Sequence, residues 1–211
     1  MKKLGLLYCF AVLSANAAFA QETTAGDPEA GKAKSAACAA CHGNDGNSII
    51  DINPKIAGQH ASYLVKQLQN FKTASQTGGA EGRNNAVMNG FAAGLSEQDM
   101  LDIAAYFSSQ DMTPGETPEN IIEAGEALYR GGDADRGITA CIACHGPRGN
   151  GMGLANFPDI SGQHANYTKS QLEMFRKGDR NNDLNGMMRD IATRLTDEDI
   201  EVLSQYLSGL H

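Results

Sequence analysis

Cys38-Ala39-Ala40-Cys41-His42 and Cys141-Ile142-Ala143-Cys144-His145 each set two thiols three residues apart, with an imidazole next in the chain. On a helical turn, side chains three apart lie on one face. Both thiols of a pentad can then bond the two vinyl groups of one porphyrin, while the histidine turns to the iron from the same side. That is the attachment pattern of covalent c-type haem. A dithiol redox centre would want a strand before the motif and a βαβ setting. Ala-rich, helix-favouring residues precede the first pentad instead. A zinc site drawn from Cys38, Cys41, Cys141 and Cys144 would leave both histidines without a role. One haem per pentad is the expectation.

The pentads sit in a duplicated unit. Pro54-Lys55-Ile56-Ala57-Gly58-Gln59-His60-Ala61-Ser62-Tyr63 matches Pro158-Asp159-Ile160-Ser161-Gly162-Gln163-His164-Ala165-Asn166-Tyr167, and Leu68 and Phe71 continue onto Leu172 and Phe175. Leu95-Ser96-Glu97-Gln98-Asp99 answers Leu195-Thr196-Asp197-Glu198-Asp199. Repeats of this kind read as copies of one structural unit.

A haem iron held by one histidine either takes a second side chain or keeps an open position, which separates electron carrier from enzyme. The candidates are Met88, Met100, Met112 and His60, then Met152, Met174, Met187, Met188 and His164. Met100 and Met174 fall in helical patterns, where methionine fills core. Met88 precedes Leu95 by seven residues and Asp99 by eleven, and Met188 keeps the same spacings to Leu195 and Asp199. Register therefore selects Met88 and Met188, with Met187 as the rival one residue out of step. His60 and His164 follow closely on Pro54 and Pro158, on the pentad-histidine side, and suit haem-carboxylate contacts or helix starts better than ligation. His211 is expected in solvent.

The elements positioning these residues read as helices, with no convincing strand. Asp27-Pro28 and Thr117-Pro118 each look like an N-cap followed by proline in the first turn. Gly31 and Gly125 occupy matching places in those opening helices, where close packing against another helix offsets the roughly 1 kcal/mol cost of a helical glycine. Ser96 and Thr196 open the closing helices as capping boxes with Asp99 and Asp199; Leu95 with Met100 and Leu195 with Ile200 stand at staple positions. Met100, Ile103 and Phe107 form an apolar stripe answered by Ile200, Leu203 and Leu207. Residues 131–140 insert a polar, glycine-rich loop before the second pentad, to which the sequence assigns no role.

Residues 1–20 read as a cleaved secretory leader: Lys2 and Lys3, a largely apolar stretch over residues 4–13 too short to span a membrane, and Ala18-Phe19-Ala20 at the cut. Cleavage removes Cys9 and leaves four cysteines, all within the pentads. The expected units are residues 21–112 and 113–211, with a linker over residues 112–118 containing Pro114, Gly115 and Pro118. Export fits haem attachment outside the cytoplasm and places the protein in the periplasm. Losing Lys2 and Lys3 shifts the formal charge from −8 to −10. Such acidity argues against nucleic acid and against adsorption to an anionic membrane. With 24 glycines and no tryptophan, each half is short of protein core, and a buried porphyrin would supply apolar bulk.

With these motifs in place, the chain resembles the dihaem cytochrome c4 family over essentially its whole mature length. The likeness includes residues 104–110 and the closing Ser208-Gly209-Leu210-His211. The resemblance implies an all-α fold of two tandem class I cytochrome c-like domains, each wrapped around a covalent haem. By it, Cys38, Cys41, Cys141 and Cys144 form the thioethers, and His42 with Met88 and His145 with Met188 are axial pairs. The carbonyls of Pro54 and Pro158 would accept a hydrogen bond from the second nitrogen of each haem histidine. Arg83, within residues 78–85, is a candidate for haem carboxylate contact.

The function implied is an electron carrier with no catalytic residue. It is similar to carriers running between quinol-oxidising complexes or dehydrogenases and terminal oxidases or reductases, here as a monomer with peripheral membrane association left open. Two other classes compete. A dihaem cytochrome c peroxidase-like enzyme would need one open distal position, which equal methionines in both halves oppose. A dedicated electron-transfer subunit of an oxidoreductase complex would co-purify with its enzyme.

Overall fold

The computed structural model describes residues 25–211, so the expected leader and Cys9 lie outside the described residues. The helices of the first half are α1 (Pro28–Lys34), α2 (Ala39–His42), α3 (Ala61–Thr77), α4 (Ala86–Ala93) and α5 (Glu97–Ser108). Those of the second are α6 (Glu119–Gly131), α7 (Ile142–His145), α8 (Ala165–Lys177), α9 (Met187–Ala192) and α10 (Asp197–Gly209). No strand forms among the described residues; extended pairing is limited to isolated bridges joining Asp133 to Ile138 and Met152 to Phe157.

Each half closes by laying its opening helix across its last one. Asp27 caps α1, accepting from the Glu29 amide at 2.9 Å. Gly31 lies at the crossing with α5, where a Cβ would stand 1.9 Å from the Asp102 carbonyl oxygen. Gly125 brings α6 against Tyr206 of α10 in the same way, with a Cβ only 2.5 Å from that of the tyrosine. Both expected capping boxes are present at Ser96 with Asp99 and at Thr196 with Asp199, satisfying amides that the first helical turn leaves free. Behind them lie two separate cores. Ile103, Tyr106 and Phe107 centre the first, and Tyr129, Leu195, Ile200, Leu203 and Leu207 are prominent in the second.

Two sequence expectations shift. Helix α6 begins at Glu119 after Pro118, without a side-chain cap. Thr117 does not cap it, because its hydroxyl donates to the Tyr206 carbonyl at 2.9 Å and so ties residues 112–118 to the end of α10. Residues 131–140 acquire a structural role. Ile138 is buried in the second core, and Arg136 ion-pairs with both Asp133 and Asp199, clamping the loop onto the start of α10.

The α1–α5 contact carries a charge cluster around the buried Asp102 that is absent from the second half, where Val202 stands in its place. The Asp27 amide, then Lys34 and Gln98, hold the Asp102 carboxyl down to about 2. A carboxylate lowered on folding contributes stability above its unfolded value, about 4, and loses it as pH falls through the folded one. Helix α1 is therefore expected to undock between about pH 4 and pH 2. Amide hydrogen exchange across α1 would measure it. An Asp102→Asn variant with an unchanged acid profile would contradict this account.

Candidate metal centres

Each pentad folds onto a single helical turn, α2 or α7, that stops at its histidine. The stop is conformational. Gly43 (φ 80°, ψ 159°) and Gly146 (φ 74°, ψ 172°) occupy a region essentially confined to glycine. The chain leaves the histidine, loops, and returns through Ile56 and Ile160, whose amides donate at 2.8 Å to the carbonyls of Gly46 and Gly149. Side chains pin the loop. Ser48 donates to the Cys41 carbonyl at 2.7 Å. Tyr106 reaches the Asn44 carbonyl at 2.8 Å, and in the second half Tyr129, from the opening helix instead, reaches Gly146 at 2.5 Å.

The return brings a proline carbonyl to each histidine. His42 donates Nδ1–H to Pro54 at 2.9 Å, and His145 donates to Pro158 at 3.0 Å. A carbonyl only accepts, so each ring carries its proton on Nδ1 and keeps the Nε2 lone pair free, the tautomer that binds a metal. Burial pushes both histidines below their ordinary range, opposed by the proline hydrogen bonds and, at His145, by Asp159. The imidazoles are neutral. The four thiols are unbridged, and no three His, Cys, Asp or Glu side chains among the described residues cluster as a metal site. Two free thiols and one metal-ready imidazole on a single turn suit one covalent haem in each half.

The structure distributes the other candidates clearly. Met88 is the third residue of α4, its amide capped by Asn85 at 3.0 Å, and α4 packs on α3. Met188 is the second residue of α9, packed against the second core, and α9 lies on α8. Its neighbourhood is built differently, because Asn185 (φ 53°) and Gly186 (φ 72°) turn the chain into α9. Met187 is half-buried beside it. Met100 is core, 1% exposed, and Met152 faces solvent. His211 is exposed.

His60 and His164 start α3 and α8 without a side-chain cap. Their Nε2–H groups cross to the opposite half, donating at 2.7 Å to Asn150 and Ser48 respectively. Those nitrogens are committed to carbonyls. The preceding glutamines cross likewise. Gln59 bonds the Asp159 backbone through both amide atoms at 2.7 and 3.0 Å, and Gln163 bonds Lys55 at 2.8 and 2.9 Å. The repeated Gly-Gln-His is thus a reciprocal clasp between the halves. Sequence reasoning missed this use, although the exact recurrence of both residues was its signal.

The Cytochrome c family model matches residues 28–111 and 122–211. The chain is 50% identical over 187 residues to a cytochrome c4 from Thiocapsa roseopersicina, covering 88% of this chain and 93% of that protein. It is 37% identical over 180 residues to a thiosulfate dehydrogenase electron acceptor from Thiomonas intermedia (strain K12), covering 83% and 79%. The crystal structure of reduced recombinant cytochrome c4 from Pseudomonas stutzeri superposes with a TM-score of 0.86 at 49% identity, covering 89% of this chain and all of that one. The chain belongs to the dihaem cytochrome c4 family, an electron-transfer protein of two tandem cytochrome c units with two covalently bound haem c groups.

Proposed function

We propose that this protein is a periplasmic electron carrier, delivered by cleavage after residue 20, with units at residues 21–112 and 113–211. Bound haem supplies one reversible one-electron iron couple per half. In this reading Cys38, Cys41, Cys141 and Cys144 hold the porphyrins, and His42 and His145 bind iron through Nε2. Pro54 and Pro158 fix ring orientation and raise imidazole basicity. Met88 and Met188 would supply the second protein ligand to each iron. A soft thioether favours ferrous iron and so a comparatively high potential, and a filled sixth position leaves no seat for a substrate.

The carrying observation is the equal treatment of the two histidines, each neutral and held at Nδ1 by a proline carbonyl at about the same distance. A peroxidase would need one open distal position, which the register-matched Met88 and Met188 oppose. The proposed donors are quinol-oxidising complexes or dehydrogenases, and the acceptors terminal oxidases or reductases. Likeness to thiosulfate dehydrogenase electron acceptors favours a second reading, in which a sulfur-oxidising dehydrogenase is the donor.

The mature protein is expected to give two c-type haems per chain by pyridine haemochrome. Mixed with a terminal oxidase in a stopped-flow instrument, it should be reoxidised rapidly, with negligible peroxide turnover. Sustained peroxide turnover would replace the carrier with an enzyme. Stable co-purification with a dehydrogenase would replace it with a dedicated subunit.

A further inference from the structure

The two chain returns that bring Pro54 and Pro158 to their histidines are alike in backbone and unlike in charge. Pro54-Lys55-Ile56-Ala57 in the first half answers Pro158-Asp159-Ile160-Ser161 in the second. A cation and a methyl group stand where the second half has a carboxylate and a hydroxyl.

Asp159 directly follows the carbonyl that accepts from His145, and its position is fixed. Gln59 bonds its backbone amide and carbonyl at 3.0 and 2.7 Å. Its Oδ1 accepts from the Ser161 amide at 2.8 Å and from the Ser161 hydroxyl at 2.6 Å. No cation pairs with this carboxylate among the described residues, so its charge is not cancelled locally. In the first half Lys55 is 8% exposed. Its ammonium reaches the linker and the other half, donating to the carbonyls of Thr113 at 2.5 Å and Gly162 at 3.1 Å. Ala57, fully buried, offers no side-chain donor.

The difference reaches the rings. At His42 burial is opposed by the Pro54 carbonyl alone, whereas at His145 the Asp159 charge joins the Pro158 carbonyl in favouring positive charge on the imidazole. An iron on that imidazole becomes one charge more positive on oxidation, and a nearby anion favours the more positive state by the same electrostatics.

We propose that Asp159, anchored by Ser161, tunes the second haem: its carboxylate stabilises ferric iron at His145 and lowers that haem's potential, with no counterpart in the first half. The proposal rests on His145 holding a haem. Two histidines fixed by the same hydrogen bond thus serve irons in different electrostatic settings, and the difference lies in the residue after each proline.

The test uses the mature holoprotein. Asp159→Asn keeps an Oδ1 acceptor for Ser161 and removes only the charge. Spectroelectrochemical titration, with each midpoint assigned to its half by the haem-methyl resonances of the ferric protein, is expected to show the second potential raised and the first unmoved. Asp159→Glu, which restores the charge, should return most of the shift. Asp159→Ser, neutral and able to close a similar turn through its hydroxyl, should match Asn and decides the matter if that variant folds poorly.

An unchanged second potential in the neutral variants would reduce Asp159 to a turn former and overturn the proposal. An equal rise at both haems would overturn the local assignment. A rise accompanied by loss of the red charge-transfer band would trace the effect to altered ligation, and the tuning role would fall. A pyridine haemochrome count of one per chain would instead overturn the haem content beneath the proposal.

Discussion

Alanine in place of Met88 is expected to remove about half of the weak red charge-transfer absorption of ferric Met-ligated haem, and alanine in place of Met188 about the other half. Each loss should lower the midpoint potential of one haem, because the soft thioether that favoured ferrous iron is gone. Each should also let carbon monoxide bind about half of the ferrous haem, since one iron per chain becomes open. Met187→Ala is the internal control. Met187 and Met188 are both half-buried on the first turn of α9, so the choice between them rests on the repeat register. A band lost in Met187→Ala and kept in Met188→Ala would refute that register.

The second large effect is mechanical. In an exposed helix, Gly→Ala gains about 1 kcal/mol from backbone entropy. At Gly31 the sign should reverse. The new Cβ would lie 1.9 Å from the Asp102 carbonyl oxygen and 2.5 Å from its carbon. Those are backbone atoms of α5, which no rotamer change can move aside. Helix α1 must lift off, drawing Lys34 away from Asp102, now 2.6 Å distant. Overpacking costs about 1–3 kcal/mol, and a backbone clash belongs at the upper end or beyond.

Gly125→Ala should destabilise as well, because the nearest atom is the Tyr206 Cβ at 2.5 Å, which no rotamer change moves. It should cost less only because this approach is longer than the 1.9 Å at Gly31. Denaturant unfolding of the holoprotein, followed at the Soret band, would rank the three proteins. Wild-type stability or better in Gly31→Ala would remove the close-packing explanation for these glycines.

Much of the candidate site was legible because its chemistry is local. Two thiols, one imidazole and a stopping glycine fall within six residues, and one helical turn sets their mutual placement. The capping boxes were legible for the same reason, since Ser96 and Asp99 recognise each other across three residues. Thr117 shows the limit: its sequence reads as a cap, yet its hydroxyl bonds a carbonyl of α10, a partner 89 residues away. His60 and His164 were equally ambiguous until their carbonyl partners in the opposite half were visible.

Arg180 marks the boundary most clearly. Arg83 follows the residue its amide bonds, Asn70, by thirteen residues, whereas Arg180 follows its own, Met174, by six, so only a gap of seven residues brings Arg83-Asn84-Asn85 onto Arg180-Asn181-Asn182. Folding shows why such a gap is tolerated, because the intervening loops differ in length while the helices they join pack alike. By itself, the sequence determined the duplicated all-α unit, the haem-binding pentads and the family, all of which depend on spacings within a turn or on periodic burial. The tertiary structure decided how the halves clasp and which charges share their interface, because those contacts join residues about a hundred positions apart that no local pattern links.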